Sequence, residues 1–109
     1  ATKFIKEYIG EFKKIGMDGV IMAEPLTGVL SPSLAREFSH PYVKEIVDEL
    51  QDESFAIIYH NCGNETPRML EDIYAFGAKA YHFDMSKYNL DNVSTQYERL
   101  MMACTDVAT

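Results

Sequence analysis

The chain contains four short apolar runs that alternate with helix-like segments, and this alternation constrains its fold more than any other feature. Within each run the apolar residues are consecutive, a pattern that predicts a strand buried on both faces. Strands that are separated by helices pair in parallel through right-handed crossovers. The sequence therefore predicts four parallel strands, adjacent in sequence order, at Gly19–Ala23, Phe55–Tyr59, Ala78–Phe83 and Leu100–Cys104.

The first helix is predicted from about Lys3 to Ile15, and Gly16 is expected to end it. Its apolar residues recur at the spacing of one helical face, while charged residues occupy the opposite face. The face predicted to turn inward consists of Phe4, Ile5, Tyr8, Ile9, Phe12 and Ile15.

Hydroxyl–proline pairs predict the starts of two further helices, because a serine or threonine caps a helix and proline fits its first position. One helix begins at Ser31–Pro32 and runs to about Leu50, and Pro41 should kink or split it near Ser39–His40. The other begins at Thr66–Pro67 and ends at Gly77. The side chains predicted to point inward are Leu34, Phe38, Tyr42, Val43, Ile46, Val47 and Leu50 in the first, and Met69, Leu70, Ile73 and Phe76 in the second.

With a short helix around Leu90 to Tyr97, the order of elements is α-β-α-β-α-β-(α)-β. Two architectures accommodate such a parallel sheet, a doubly wound sheet and a (β/α)₈ barrel. A complete barrel needs roughly 200 residues or more, whereas this chain has 109. We expect residues 1–109 to form a single α/β domain that amounts to at most about half of a barrel.

The charge balance argues against binding nucleic acid. Ten basic and 17 acidic residues leave a formal net charge of −7, whereas nucleic-acid-binding domains usually carry a basic stripe. No apolar run approaches the ~18 residues of a membrane span, and the N-terminus lacks the apolar core of a secretory signal. Two cysteines are too few for a disulfide scaffold. We therefore expect a cytoplasmic protein that binds neither nucleic acid nor membranes.

The pair His60 and Cys62 is the most informative candidate site, because it lies at the carboxyl end of the second predicted strand. Residues two apart in an extended chain point to the same face, and active sites of α/β proteins form at this end of the strands. An imidazole and a thiolate suit a borderline-soft ion such as Zn²⁺, and Gly63 allows a sharp turn after them. On spacing alone, a buried cysteine beside a hydrogen-bonded histidine is the stronger interpretation.

Several features together resemble the uroporphyrinogen decarboxylase superfamily, and within it the methylcobamide:coenzyme M methyltransferase branch. The resemblance covers about residues 17 to 86. Its features are an acidic–proline loop after a strand, a proline-kinked helix and an H-x-C-G-N motif. The residues that carry it are Glu24–Pro25, Leu30–Ser31–Pro32, Pro41, His60-x-Cys62–Gly63–Asn64 and Phe83–Asp84. The tail from Leu100 to Asp106 is only loosely similar to the next strand and turn of the family.

The resemblance implies a (β/α)₈ barrel in which zinc binds the thiol of coenzyme M and activates it as a thiolate. That thiolate takes a methyl group from a methylated corrinoid carried on a partner protein, a reaction of methanogenesis. By the motif, His60 and Cys62 correspond to zinc ligands. The decarboxylase branch, which acts on a tetrapyrrole, needs no metal and lacks H-x-C-G at this place, so the motif favours methyl transfer.

This sequence departs from the family pattern in two respects. The family's third zinc ligand is a cysteine much nearer the end of the barrel, and it has no counterpart here. The N-terminal half of the barrel is also missing, so the chain corresponds to roughly the fifth to eighth strands. We expect the segment alone to be inactive and to bind zinc weakly.

Two carboxylates are further candidates for catalytic roles at the same edge of the sheet. Glu24 follows the first strand and Asp84 ends the third, so either could contact a metal or substrate; for Glu24 an exposed loop carboxylate is the equal alternative. His82 is more typical of a core histidine, Cys104 of a buried thiol, and His40, beside Pro41, of a structural residue.

A half-barrel would leave strand edges and an apolar inner face uncovered. The inward candidates are Ile21, Ala56, Ile58, Ala80 and Met102. Unpaired strand edges favour pairing with another chain, and large apolar patches rarely stay exposed in a monomer. We therefore expect a homo-oligomer, and a non-catalytic half-barrel that self-associates remains an alternative function.

Overall fold

The structure is a computed structural model that describes residues 1–84 and 100–104, with side chains described through residue 83. Among the described residues, β1, β2 and β3 each follow a helical segment, as the sequence pattern predicts. The helix expected around Leu90 to Tyr97 lies outside the described residues. The elements are α1 (Thr2–Lys14), β1 (Gly19–Ala23), a 3₁₀ helix (Thr27–Val29), α2 (Pro32–Phe38), α3 (His40–Leu50), β2 (Ala56–Asn61), a second 3₁₀ helix (Thr66–Met69), α4 (Leu70–Tyr74), β3 (Ala80–Asp84) and β4 (Leu100–Cys104).

The four strands form one parallel sheet in the order β1-β2-β3-β4. This confirms the predicted pairing and the predicted order. The register aligns Ala23 of β1 with His60 of β2, and His60 with His82 of β3. The carboxyl ends of the strands therefore lie at one edge of the sheet, and the two histidines are neighbours there.

The helices cover one face of this sheet. In β2, the side chains of Ile57, Tyr59 and Asn61 are fully buried against the helices, whereas the alternate residues are half-buried. The core on the helix side is built from aliphatic residues of α3 and aromatic residues of β2, β3 and the α4 segment. It includes Val43, Ile46, Val47, Phe55, Ile57, Tyr59, Ile73, Phe76, Tyr81 and Phe83.

The prediction that each strand is buried on both faces is wrong for β1 and β2. Ile21 is 63% exposed, and Ala56 and Ile58 are half-buried on the same side. We call this side, which holds Ile21, Ile58, His60 and His82, the open face. The apolar composition of the strands indicates a cover on both faces, but the described part of the chain supplies it on one face only.

Helix α1 shows the same pattern, because most of its apolar stripe lies outside the core. Ile9 is buried and Phe12 packs against the core, but Phe4 is 69% and Tyr8 58% exposed. Ile5 and Ile15 are exposed as well, so the prediction that the whole stripe turns inward is wrong. The charged side of α1 packs toward α3, where Lys6 Nζ lies 2.9 Å from Glu45 and 3.0 Å from Glu49.

The predicted break near Ser39–His40 is confirmed, because α2 ends at Phe38 and α3 begins at His40. Ser31 caps α2, its Oγ accepting a hydrogen bond from the Leu34 backbone N–H at 3.4 Å. Val43, Ile46 and Val47 are buried as predicted, and Leu50 packs against the core. Leu34 and Phe38 of α2 and Tyr42 of α3 are exposed instead, and the buried residue of α2 is Ala35.

The second hydroxyl–proline pair does not cap a long helix. Thr66 and Pro67 open a 3₁₀ helix that leads into the five-residue α4, and the Thr66 hydroxyl donates to Asn61 and does not cap the helix by accepting from a backbone N–H. Met69, Ile73 and Phe76 are nevertheless buried as predicted. In the described residues, no helix has the length and hydropathy needed to cross a membrane.

Candidate functional site

The candidate site lies where the parallel strands end, on the open face of the sheet. His60 is the fifth residue of β2, and the half-buried Cys62 follows the strand directly. Burial alternates through this segment, from half-buried His60 to fully buried Asn61 to half-buried Cys62. This alternation of burial agrees with the two-residue period of a strand, which predicts the imidazole and the thiol on the same side of the chain.

His60 is oriented by its neighbour on β3. Its Nδ1 lies 3.1 Å from the backbone carbonyl oxygen of His82. Because a carbonyl can only accept, this contact requires the proton to be on Nδ1, which leaves the Nε2 lone pair of the neutral ring available. A histidine that binds a metal typically has this arrangement, with its second nitrogen donating to a carbonyl or carboxylate.

The two imidazole rings also lie close together. Their centroids are 4.8 Å apart at an interplanar angle of 38°. His82 is half-buried on the open face, so the prediction of a core histidine does not describe its position. Burial lowers the pKa of His60, and the charge that His82 would carry lowers it further, while the bond to the His82 carbonyl opposes both effects. Each lowering effect favours the neutral ring that a metal requires.

The donor set matches zinc in type but not in number. Nitrogen from His60 and sulfur from Cys62 are ligands that zinc prefers. Within residues 1–83, however, no three His, Cys, Asp or Glu side chains come together in a group that could hold a metal ion. Stable zinc sites use at least three protein ligands, so this part of the chain supplies an incomplete set.

Glu24 lies on the helix side of the sheet end, where three hydroxyl groups bind its carboxylate. Ser39 Oγ lies 2.9 Å from both carboxylate oxygens, Tyr59 Oη donates to Oε1 at 2.9 Å, and Thr27 Oγ1 donates to Oε2 at 3.1 Å. Tyr59 is fully buried and points away from His60. The structure therefore joins the Glu24 carboxylate to the helix layer, and only the backbone N–H of Glu24 bonds to His60, donating to its carbonyl oxygen at 3.0 Å.

The other candidates occupy distinct positions. Asp84 is the last residue of β3, and its backbone is in register with Cys104 of β4 at the same end of the sheet. The side chains of both lie outside the described residues. His40 is 7% exposed, and its ring packs edge-on against Phe76 with centroids 5.3 Å apart, which agrees with a structural role.

Asn61 is a buried polar residue that sequence reasoning missed. Its Oδ1 accepts hydrogen bonds from the Gly63 backbone N–H at 2.9 Å and from Thr66 Oγ1 at 2.8 Å. Its Nδ2 donates to Tyr59 Oη at 3.2 Å, and this hydroxyl in turn donates to Glu24. The signal was present in the alternation of the strand, because a residue between His60 and Cys62 must face the core, where an amide requires partners.

Two glycines allow the loop after β2 to approach the loop after β1. Gly28 and Gly63 are in backbone contact, and a Cβ on either one would overlap the backbone of the other. The Glu65 N–H also donates to the Gly28 carbonyl at 2.8 Å. The turn that follows Cys62 is thus held on one side by Asn61 and on the other by Gly28.

Comparison with known proteins identifies the family to which the chain belongs. A family model described as uroporphyrinogen decarboxylase (URO-D) matches residues 1–103. A search of curated protein sequences finds no match. Among solved structures, the chain is similar to a methyltransferase from Methanosarcina mazei, with a TM-score of 0.83 and 18% sequence identity over 99% of this chain.

The similarity covers 32% of that methyltransferase, so the chain spans about a third of its length. Over the shared length the fold is the same, and the four parallel strands correspond to part of its barrel. The predicted fold, part of a (β/α)₈ barrel, is therefore confirmed. The chain belongs to the uroporphyrinogen decarboxylase (URO-D) family.

Proposed function

We propose that the chain is part of a methyltransferase in which His60 and Cys62 bind a zinc ion that activates a substrate thiol. The observation that carries the proposal is the orientation of His60. Its Nδ1 donates to the His82 carbonyl at 3.1 Å, so Nε2 is the nitrogen available to a metal, and the half-buried Cys62 follows two residues later in the chain. The similarity to a methyltransferase structure supports this function over others in the family.

Zinc, when bound, would lower the pKa of a thiol ligand and orient its sulfur for attack on a methyl carbon. The chain's own residues prepare the place for this chemistry. His60 presents a neutral nitrogen because burial and His82 lower its pKa. Cys62 presents sulfur at the end of β2, and the turn at Gly63 directs the chain away from the open face.

The resemblance of the motif suggests the substrates. We propose that the acceptor is the thiol of coenzyme M and that the methyl donor is a methylated corrinoid on a partner protein. A site that depends on a reduced thiol requires a reducing compartment, and we propose the cytoplasm. Of the two candidate carboxylates, the proposal assigns the catalytic role to Asp84, because the oxygens of Glu24 already accept bonds from Ser39, Thr27 and Tyr59.

The incomplete ligand set and the open face both point to further protein in the working assembly. We propose that the chain associates with itself through the open face and the edge of β1, which pairs only with β2 among the described strands. Ile21 at the centre of β1 is 63% exposed, and the groove between β1 and α1, about 460 Å³, is lined mainly by apolar side chains. Uncovered apolar surface of this kind favours association.

Equilibrium dialysis against Zn²⁺ tests the proposal. We expect weak zinc binding by the wild-type chain that falls at least tenfold in Cys62→Ala and in His60→Ala, with Cys104→Ala as the matched cysteine control. Binding of uroporphyrin is measured on the same samples. A chain that takes up no zinc but binds the porphyrin would instead support a decarboxylase-like function, which the name of the family favours.

A further inference from the structure

Asn61 lies in the sequence between the two proposed zinc ligands, His60 and Cys62. Its side chain faces away from them, but it is hydrogen-bonded to the turn that follows Cys62. Asn61 is 0% exposed, and its side chain is hydrogen-bonded to the Gly63 N–H, Thr66 Oγ1 and Tyr59 Oη. A buried amide whose bonds are made in this way resists movement, since each lost bond would leave a polar group unpaired. The backbone on both sides of Cys62 is therefore held from the helix side of the sheet.

We infer that Asn61 is a positioning residue for Cys62. The bond from the Gly63 N–H to Asn61 Oδ1, at 2.9 Å, spans Cys62 and closes the turn directly over it. Thr66 Oγ1 holds the same oxygen from the start of the next helical segment at 2.8 Å. We infer that this turn holds the backbone at Cys62 in one conformation and so limits the directions in which the thiol can point toward the open face. The inference rests on the proposed function for its consequence, metal binding, but not for its geometry.

The far end of the network explains why Asn61 keeps one orientation. Its Nδ2 donates to Tyr59 Oη, and the Tyr59 hydroxyl must then donate its single proton to Glu24, at 2.9 Å. An ionised carboxylate can only accept hydrogen bonds, so the donor and the acceptor of each hydrogen bond from Asn61 through Tyr59 to Glu24 are determined. If the amide were flipped, its nitrogen would face the Gly63 N–H and the Thr66 hydroxyl, and the bond from the Gly63 N–H would be lost.

This arrangement assigns Glu24 a role different from the one its position after β1 suggested. The carboxylate is the acceptor at which the chain of hydrogen bonds from Asn61 ends, and it is held there by Ser39 and Thr27. The Glu24 carboxylate therefore ends the network on the helix side of the sheet, while its backbone N–H donates to the His60 carbonyl at 3.0 Å.

Two measurements on Asn61→Ala test the inference, each made well below the thermal midpoint on samples whose circular dichroism matches the wild type. In the metal-free protein, mass spectrometry follows alkylation of the Cys62 peptide by iodoacetamide. We expect the rate to rise several-fold, because the half-buried thiol is released from its position. In the second measurement, Co²⁺ titration monitored by absorption should show about a tenfold weaker affinity, the size of effect usual for residues that orient metal ligands.

Ser39→Ala is the matched control, because it removes a hydrogen bond from the same network at the Glu24 end. It should lower the thermal midpoint but leave the Cys62 alkylation rate and the Co²⁺ affinity within twofold of the wild type. If Asn61→Ala folds too poorly to measure, Thr66→Val removes one donor to Oδ1 and should change both readouts in the same direction, whereas Thr66→Ser retains the hydroxyl and should restore them.

The inference is overturned if Asn61→Ala and Thr66→Val alkylate at the wild-type rate, or if Ser39→Ala changes the rate as much as they do. A wild-type chain that binds no Co²⁺ would contradict the proposed metal site instead. In that case the alkylation rates still decide whether Asn61 positions the thiol.

Discussion

The Nδ1 atom of His60 lies 3.1 Å from the backbone carbonyl oxygen of His82, and their rings face each other across neighbouring parallel strands. This contact determines which nitrogen of His60 is available for chemistry. It also makes His82, rather than Glu24, the residue that orients the proposed zinc ligand. The contact depends on the one-to-one register of β2 and β3, which aligns the two histidines.

The pKa of His60 should lie below its ordinary value of 6.5, because burial and the neighbouring His82 both disfavour its charged form. In His82→Gln the pKa of His60 should rise but remain below 6.5, because burial is the larger cause. Titration of the imidazole C–H signals by NMR measures both values. A His60 pKa above 6.5 in the wild type would contradict the expected effects of burial and of His82.

His40 should make stability depend on pH. Burial lowers its pKa from 6.5, and the nearby Asp72 and Glu24 only partly oppose that effect. Since the unfolded chain takes up a proton that the folded chain resists, stability is greatest above pH 6.5 and falls as the pH drops below it. One such group contributes a slope of at most ~1.4 kcal/mol per pH unit.

Chemical denaturation of wild type and His40→Leu between pH 7.5 and 5 isolates this contribution. His60, whose pKa is lowered in the same direction, is present in both proteins and cancels in the difference. As the pH falls, the unfolding free energy of the wild type should decrease more than that of His40→Leu. A constant difference across this range would exclude His40 as the source.

Gly28→Ala should destabilise the fold, because its Cβ would overlap the Gly63 backbone and the Asn61 side-chain oxygen. Crowding of this kind typically costs ~1–3 kcal/mol. Gly10→Ala in α1 is the matched control: a Cβ there meets nothing within 4 Å, so the change should stabilise the helix by ~0.5–1 kcal/mol. Urea denaturation measures both, and equal effects would show that the two loops do not touch.

The strand order and the kinked helix were predictable from the sequence because they depend on local signals. Continuous apolar runs predict buried parallel strands, and Pro41 predicts the break that the structure shows before His40. The strand bounds differ by up to two residues, since β2 continues through His60 and Asn61 rather than ending at Tyr59. These two extra residues carry part of the site.

Side-chain partners could not be predicted in the same way. The alternation of β2 indicates that Asn61 faces the core, but not that Gly63, Thr66 and Tyr59 supply its hydrogen bonds. Helical periodicity likewise shows that α1 has an apolar face without showing what covers it. Phe4 and Tyr8, on that face, are exposed in the described structure.

Self-association should depend on the open face. Ile21→Lys places a charge at the centre of β1 and should weaken or abolish the oligomer, since a lysine would have to be buried without a partner. Leu26→Lys is the control, because Leu26 is 81% exposed in the loop beyond β1. Sedimentation velocity at micromolar concentration measures both. A wild-type chain that sediments as a 12.4 kDa monomer would contradict the proposed homo-oligomer.

X-ray absorption at the zinc edge, with protein in excess over zinc, identifies the atoms that bind the metal. If Cys62 is a ligand, the spectrum should show a sulfur scatterer at ~2.3 Å and nitrogen or oxygen at ~2.0–2.1 Å, and the sulfur shell should be lost in Cys62→Ser but kept in Cys104→Ser. A zinc environment without sulfur in the wild type, or a sulfur shell that persists unchanged in Cys62→Ser, would contradict the assignment of Cys62 as a zinc ligand.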